Sequence, residues 1–260
     1  MNARPGRSVI REMTEDDAAW AAALMERRRQ VYAGYSPVFW RPRPGVTGLH
    51  GRFLRRQIAA PQYVALRGDH AFIIGQRRPG QGFVDDFAVD QDGSWDTDGA
   101  DLLLAAWQRL SAGGCATMRV VTANADSSKS RMLRSLSLRL AEQWWVRELI
   151  PAPQPATSAL SAMNAPPAMN APPATNGRVS GTGFSGIFGP APPVYDPGGP
   201  VLLADTLDAE ADLATAEREA AALGAVLLIV PSVPGTPRSA ELGRTPGWRV
   251  ASDWYDGQPS

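Results

Sequence analysis

The chain has 260 residues, room for one or two domains at roughly 100–200 residues each. Hydrophobic side chains make up 44% and charged ones 20%, and 26 basic residues balance 26 acidic ones, which argues against nucleic-acid or membrane-surface binding through bulk charge. One cysteine, Cys115, and two histidines, His50 and His70, leave no intramolecular disulfide and no multi-cysteine or His-rich metal site.

No run of about 18 apolar residues occurs, and the N-terminal MNARPGRSVIREM lacks the apolar centre of a secretory signal. A cytoplasmic chain with no membrane partner is the expectation. In chain order, 9–13 is a short strand candidate. Thr14, with Asp17 three residues on, pairs a hydroxyl with a carboxylate at a helix start. That helix runs through Trp20, Leu24 and Arg28 towards Val31. The aromatic segment from Tyr32 to Trp40 follows, and Pro42 and Pro44 forbid a regular helix beyond it. Thr47 starts a second helix carrying Leu49, Phe53, Leu54 and Ile58.

Three strands are predicted at 63–67, 71–76 and 83–89, the first two joined by a tight turn at Gly68-Asp69-His70. A loop at 90–100 leads into a helix at 101–112, a strand at 117–122, a helix at 127–137 and a strand at 140–149. This order is a mixed α/β pattern. Residues 151–199 interrupt it with MNAPPA at 163–168, repeated at 169–174, and many glycines and prolines. Such composition predicts a semi-rigid linker. Phe184, Ile187, Phe188 and Tyr195 suggest that its second part lies down on a domain. Order resumes with a strand at 201–205, a helix at 208–223, a strand at 225–231, a short helix at 237–243 and a strand at 248–255. The expected organisation is a domain at 1–150, a linker at 151–199 and a smaller unit at 200–260.

The two ends match each other. A gapless offset of 110 pairs Gly114 with Gly224, Val120 with Val230, Arg139 with Arg249, Ala141 with Ala251 and Trp144 with Trp254. Two unrelated β-α-β units would share an apolar pattern, but a common register through two strands and a helix points to duplication. Aligning Val89-Asp90 with Leu207-Asp208 leaves the second copy eight residues shorter before its first helix.

The element order over 8–149, with the strand-loop-helix at 83–104, resembles the GNAT superfamily of acyl-CoA-dependent N-acyltransferases. The resemblance implies a mixed-sheet α/β fold, acetyl-CoA as co-substrate without a metal, and an amine of a small molecule or peptide as acceptor. In that family the loop after the central strand cradles the CoA pyrophosphate on backbone amides at a helix N-terminus. It implies cofactor contacts at Phe87, Ala88 and Val89 on the strand, and at Gly93, Ser94, Thr97, Gly99 and Ala100 in the loop. Asn124 and Lys129 would contribute from the next helix. The chain departs from the family pattern: Trp95 stands where a basic residue is usual, Asp90, Asp92, Asp96, Asp98 and Asp101 crowd the loop, and Leu133 takes the place of the tyrosine that protonates the leaving thiolate. The second copy, without the loop, is expected only to pack its sheet on the first.

For chemistry, Asp85 and Asp86 are the candidate catalytic bases. Strand alternation puts one on each side of the sheet, so that one would face the acceptor cleft. A solvated Asp and an Arg-paired one would leave the same trace. Tyr32, Tyr35, Phe39, Trp40, Arg41 and His50 are candidates for lining an acceptor pocket, and the aromatics among them could equally cap the core. Three functions are compatible with these residues: an N-acyltransferase, a non-catalytic binding or regulatory module derived from one, and, least supported, an interaction protein recruiting partners through its Pro-rich segment.

Overall fold

A computed structural model describes residues 9–151, 177–208 and 212–260. The MNAPPA repeats lie outside the described residues. Among those described, the strands form one mixed sheet: β1 (Arg11–Glu12), β2 (Tyr63–Arg67), β3 (Ala71–Arg78), β4 (Gln81–Val89), β5 (Thr117–Ala123), β6 (Arg139–Glu148), β7 (Gly177–Gly181), β8 (Phe184–Gly189), β9 (Val201–Leu207), β10 (Leu227–Ser232) and β11 (Trp248–Gly257). Their spatial order is β1-β2-β3-β4-β5-β11-β6-β10-β9-β8-β7. The helices are α1 (Ala18–Tyr35), α2 (Val46–Ala59), α3 (Asp98–Ala112), α4 (Ser127–Ser135), α5 (Leu213–Ala222) and α6 (Pro237–Arg244). No helix of the described residues is long and apolar enough to cross a membrane.

The start of α1 is fixed as its sequence suggests. The Thr14 amide donates to the Asp17 carboxylate at 2.8 Å. Asp17 also receives the guanidinium groups of Arg11 and Arg67, at 2.7 and 2.9 Å, which ties the helix to β1 and β2. The helix continues four residues beyond Val31, so Tyr32 and Tyr35 are helical rather than part of an irregular aromatic segment. On one face of the sheet, Leu102, Leu103, Ala106 and Leu110 of α3 and Met132 and Leu133 of α4 pack on β2 to β5. On the other, Ala18, Ala21, Leu24 and Met25 of α1 and Leu54 of α2 cover Phe72, Ile74 and Ala88. A further core joins Leu213, Ala216 and Ala220 of α5 to Leu228 and Val230 of β10 and to Trp248.

Two irregularities shape the middle of the sheet. β3 pairs Ile74 with Asp86 and then Gly75 with Val84, so Asp85 is an inserted residue, a β-bulge. β4 and β5 run parallel, but their pairing ends at Val84 opposite Val120. Beyond that point the two strands diverge, and the edge of β4 that faced β5 has no strand partner.

The second unit does not stack a separate sheet on the first. β11 enters between β5 and β6, antiparallel to both, while β6 pairs with β10. The order from β4 to β9 is therefore palindromic about the β11–β6 pair: parallel β4 and β5 on one side, parallel β9 and β10 on the other. Residues 177–189, placed by sequence in a linker, form the hairpin β7–β8 at the far edge. Residues 190–200 then cross back over the first unit. There Val194 O accepts from the Arg43 amide at 3.1 Å, and Arg41 O accepts from the Asp196 amide at 2.9 Å.

Candidate functional site

The bulge decides which way the two central acids point. Alternation along a regular strand would send Asp85 and Asp86 to opposite faces; instead both line one cavity of about 390 Å3 on the α1–α2 side. Val84 and Phe87, the residues on either side of the pair, both belong to the core beneath α3. The expectation of one acid per face is thus corrected by one inserted residue.

Asp86 is buried and paired. His50 Nε2 donates to its Oδ1 at 2.9 Å, and Arg29 Nη2 donates to His50 Nδ1 at 2.9 Å. Arginine can only donate, so His50 accepts on Nδ1 and carries its proton on Nε2. Burial pushes the Asp86 carboxyl up, but the hydrogen bond from His50 and the nearby charge of Arg29 hold it below the usual carboxylate range. Asp85 is exposed along the wall of that cavity, beside the buried Asp86. Burial, followed by the charge of Asp86, pushes it up to about 6 against the pull of Lys129, His50 and Arg29. The pair thus has one acid locked in a hydrogen-bonded relay and one left free at the cavity surface.

Tyr32, Trp40 and His50 join Met25, Leu49 and Phe53 in the cavity wall, and Pro192, Pro193, Val194 and Tyr195 of the crossing segment complete it. A second chamber, of about 160 Å3, adjoins it and shares Trp40, Asp85, Val121, Pro192 and Tyr195. Phe39 lines that chamber. Tyr35 is exposed and borders neither space, a departure from its predicted role. Arg41 also departs from its prediction: its Nε donates to Asp196 O at 2.6 Å and so anchors the crossing segment rather than a ligand.

The strand-loop-helix is built differently from a phosphate cradle. Trp95 is completely buried, its indole edge against Phe87 with centroids 4.9 Å apart. A Cβ at Gly99 would lie 2.8 Å from Trp95 Cε3, so the glycine makes room for the indole. Ala88 and Val89 are core, and Ala100 packs against the α3 core. Gly93 and Thr97 are exposed, and Ser94 caps the local turn by accepting from the Thr97 amide at 3.3 Å.

Three of the loop's acids have partners: Asp90 pairs with His70 at 2.9 Å, Asp96 with Arg131 at 2.8 Å, and Asp92 with Arg28. Arg28 also bridges to Asp126, the N-cap of α4, which accepts from Tyr32 Oη at 2.9 Å and from the Lys129 amide at 3.1 Å. Burial and then the Asp126 charge raise the Tyr32 phenol.

Lys129 fills the divergence of β4 and β5. Its buried Nζ donates to Val121 O at 2.8 Å and lies 5.2 and 5.3 Å from the Phe87 and Trp95 ring centroids. Burial lowers it to about 8, against Asp126, which raises it. Asn124 is committed to Asp253 on β11, donating at 3.0 and 3.1 Å. For a CoA molecule the fit is therefore divided. The unpartnered edge of β4 and the adjoining cavity suit the acyl end. The phosphate end does not fit this arrangement, because the indole of Trp95 occupies the Gly99 cradle and the neighbouring cations are engaged by aspartates.

Sequence reasoning missed Arg28, Arg29, Trp144, Trp254 and the 192–195 segment. The sequence gives Arg28 and Arg29 no role beyond the first helix, Trp144 and Trp254 enter it only as a matched pair between the two ends, and 192–195 falls in the predicted linker. Among the described residues, no group of three or more His, Cys, Asp or Glu is placed to hold a metal ion.

No protein-family model and no curated protein matches the chain. Solved structures do. A candidate acetyltransferase from Thermoplasma acidophilum superposes with a TM-score of 0.59 at 11% identity, over 96% of this chain and 99% of that one. A GCN5-related N-acetyltransferase from Sphaerobacter thermophilus gives 0.55 at 11% identity, over 98% and 97%. The PaiA N-acetyltransferase of Thermoplasma acidophilum, solved with coenzyme A, covers 52% of this chain at 15% identity and a TM-score of 0.43. Two of these likenesses run through both halves of the molecule, and on them the chain has the fold of the GNAT N-acetyltransferases.

Proposed function

We propose that the chain is an acyl-CoA-dependent N-acyltransferase that acts on an amine of a small molecule or peptide, with Asp85 as its base. The observation that carries this reading is the position of Asp85, on the bulge where the pairing of β4 and β5 ends and open to a cavity of about 390 Å3. A carboxyl raised to about 6 is ionised at neutral pH and more basic than an ordinary aspartate, as a group receiving a proton from an attacking amine should be. His50 lines the same cavity with both ring nitrogens engaged, by Arg29 and Asp86, and so fixes the position of Asp86 beside Asp85. Backbone amides on the β4 edge beyond Val84 have no strand partner and suit stabilisation of an oxyanion. Acetyl-CoA, as co-substrate, supplies the activated acyl group.

A second reading, a binding module derived from such an enzyme, is favoured by Trp95 in the Gly99 cradle and Lys129 in the strand gap. Calorimetric titration with acetyl-CoA separates the two. Binding at micromolar concentration, followed by acetylation in a screen of amines, supports the transferase. Absence of heat at millimolar acetyl-CoA removes that reading and leaves the module.

A further inference from the structure

The smaller chamber differs in chemistry from the cavity beside it. Its wall carries a continuous arc of rings: Tyr195 to Trp40 at 5.4 Å, Trp40 to Phe39 at 4.7 Å, Phe39 to Trp144 at 6.4 Å, and Trp144 stacked on Trp254 at 4.7 Å. Asp85 is the one charged residue among the described residues that line it. The Ser252 hydroxyl on the same wall is spent on Thr122 O at 3.2 Å. We propose that this chamber is a binding site for an alkylated ammonium ion, with Asp85 as its counter-ion and the aromatic arc as its cage.

The physical case is one of complementarity. Ring faces attract cations, more strongly when water is excluded, and repel anions. An unsubstituted ammonium would need several acceptors to replace its water, and the wall offers one carboxylate. Alkyl groups on nitrogen remove that requirement and place apolar surface against the rings. The volume of about 160 Å3 is smaller than the roughly 300–1,000 Å3 of pockets for whole drug-sized ligands, so the chamber takes a head group. The rest of such a ligand extends past Asp85 into the larger cavity, whose wall shares Asp85, Trp40 and Tyr195. Asp85, raised to about 6, is ionised at pH 7.5 and protonated at pH 5. None of this requires acyl transfer, so the site stands or falls apart from the enzymatic reading.

The test is calorimetric titration of the full chain, without acetyl-CoA, using tetramethylammonium, choline and the neutral isostere 3,3-dimethylbutan-1-ol. Choline should bind in the micromolar-to-millimolar range at pH 7.5, at least tenfold more tightly than the alcohol, and at least tenfold more weakly at pH 5. Asp85→Asn, which keeps the side-chain shape, should lose the preference for the cation, and Trp254→Ala should weaken both cations. If Trp254→Ala does not fold, quenching of the wild-type tryptophan fluorescence by choline replaces it. Equal affinity for choline and the alcohol would overturn the proposal in favour of a purely apolar cavity. No binding of any of the three at 50 mM, or cation binding unchanged in Asp85→Asn, would overturn it as well.

Discussion

At the scale of single residues, Trp95 and Gly99 show how one pair can carry two meanings. The sequence marks Gly99 as a loop glycine before a helix, and Trp95 as the residue out of pattern. What it does not carry is that the glycine serves the tryptophan. Adding a side chain at Gly99 puts Cβ 2.8 Å from a rigid, fully buried indole that has nowhere to go. Gly99→Val should therefore cost about 1–3 kcal/mol of stability as overpacking, visible as a lowered melting temperature with no ligand present. A melt unchanged from wild type would mean that the indole is free to move, as a phosphate cradle would require. Asp85 gives the pH dependence. Its folded pKa, about 6, lies above the ordinary 3.8, so the stability it contributes is complete below about pH 4 and is lost as the pH rises through 6. Activity runs the other way, because the base must be ionised: kcat/KM for an acetylated amine should climb through about pH 6. Asp85→Asn should lower it about 10²–10⁴-fold, as expected for loss of a general base. A profile flat from pH 5 to 8 would remove Asp85 from that role.

At the scale of elements, most strands and helices were legible because their apolar spacing is regular, and errors at their ends were a few residues. The bulge at Asp85 was not legible. It arises from pairing with β3, and nothing in Phe83-Val84-Asp85-Asp86-Phe87 signals an insertion except that two acids fall between apolar neighbours. The hairpin β7–β8 was missed for the opposite reason: its glycines read as linker, yet one of them is needed for close strand approach. A Cβ at Gly186 would stand 2.2 Å from Leu203 O and 2.9 Å from Ala204 Cα, at the register shift between β8 and β9. Backbone atoms cannot yield as a flexible side chain would. Gly186→Ala should destabilise the chain by about 3 kcal/mol or detach β7 and β8, and amide exchange would show the loss of protection first at 184–189. The candidate site was half legible: His50, Trp40 and the two acids were picked out by residue type and position. Arg29, which sets the histidine tautomer, looks like any other arginine on α1.

At the scale of the whole molecule, the palindromic strand order can be set beside the offset of 110 in the sequence. In the register, Val120 faces Tyr255 across β5 and β11, and Val230 faces Trp145 across β10 and β6, the same pairing displaced by that offset on both members. Trp144 and Trp254, equivalent by the offset, stack on each other where the two halves meet. The expectation that the second unit would pack its sheet on the first did not include β11 entering between β5 and β6, since pairing partners are set by which strand edges remain open as the chain folds.

The consequence is that neither half owns its core or its site. Tyr255, from the last strand, is buried in the core beneath α3 and α4, and Trp40 Nε1 donates to Ala251 O at 3.0 Å. Without residues 177–260, β5 would lose β11 and β6 would lose both β11 and β10, leaving open strand edges. A chain ending at residue 151 should consequently fail to unfold cooperatively, bind a hydrophobic dye, and associate through the exposed strand edges. Supplying 177–260 as a separate polypeptide during refolding should restore a cooperative transition and the cavity that depends on Tyr195. A sharp two-state melt from 1–151 alone would show instead that the first unit closes its own sheet, and the crossing segment and β11 would then be additions to a site already complete.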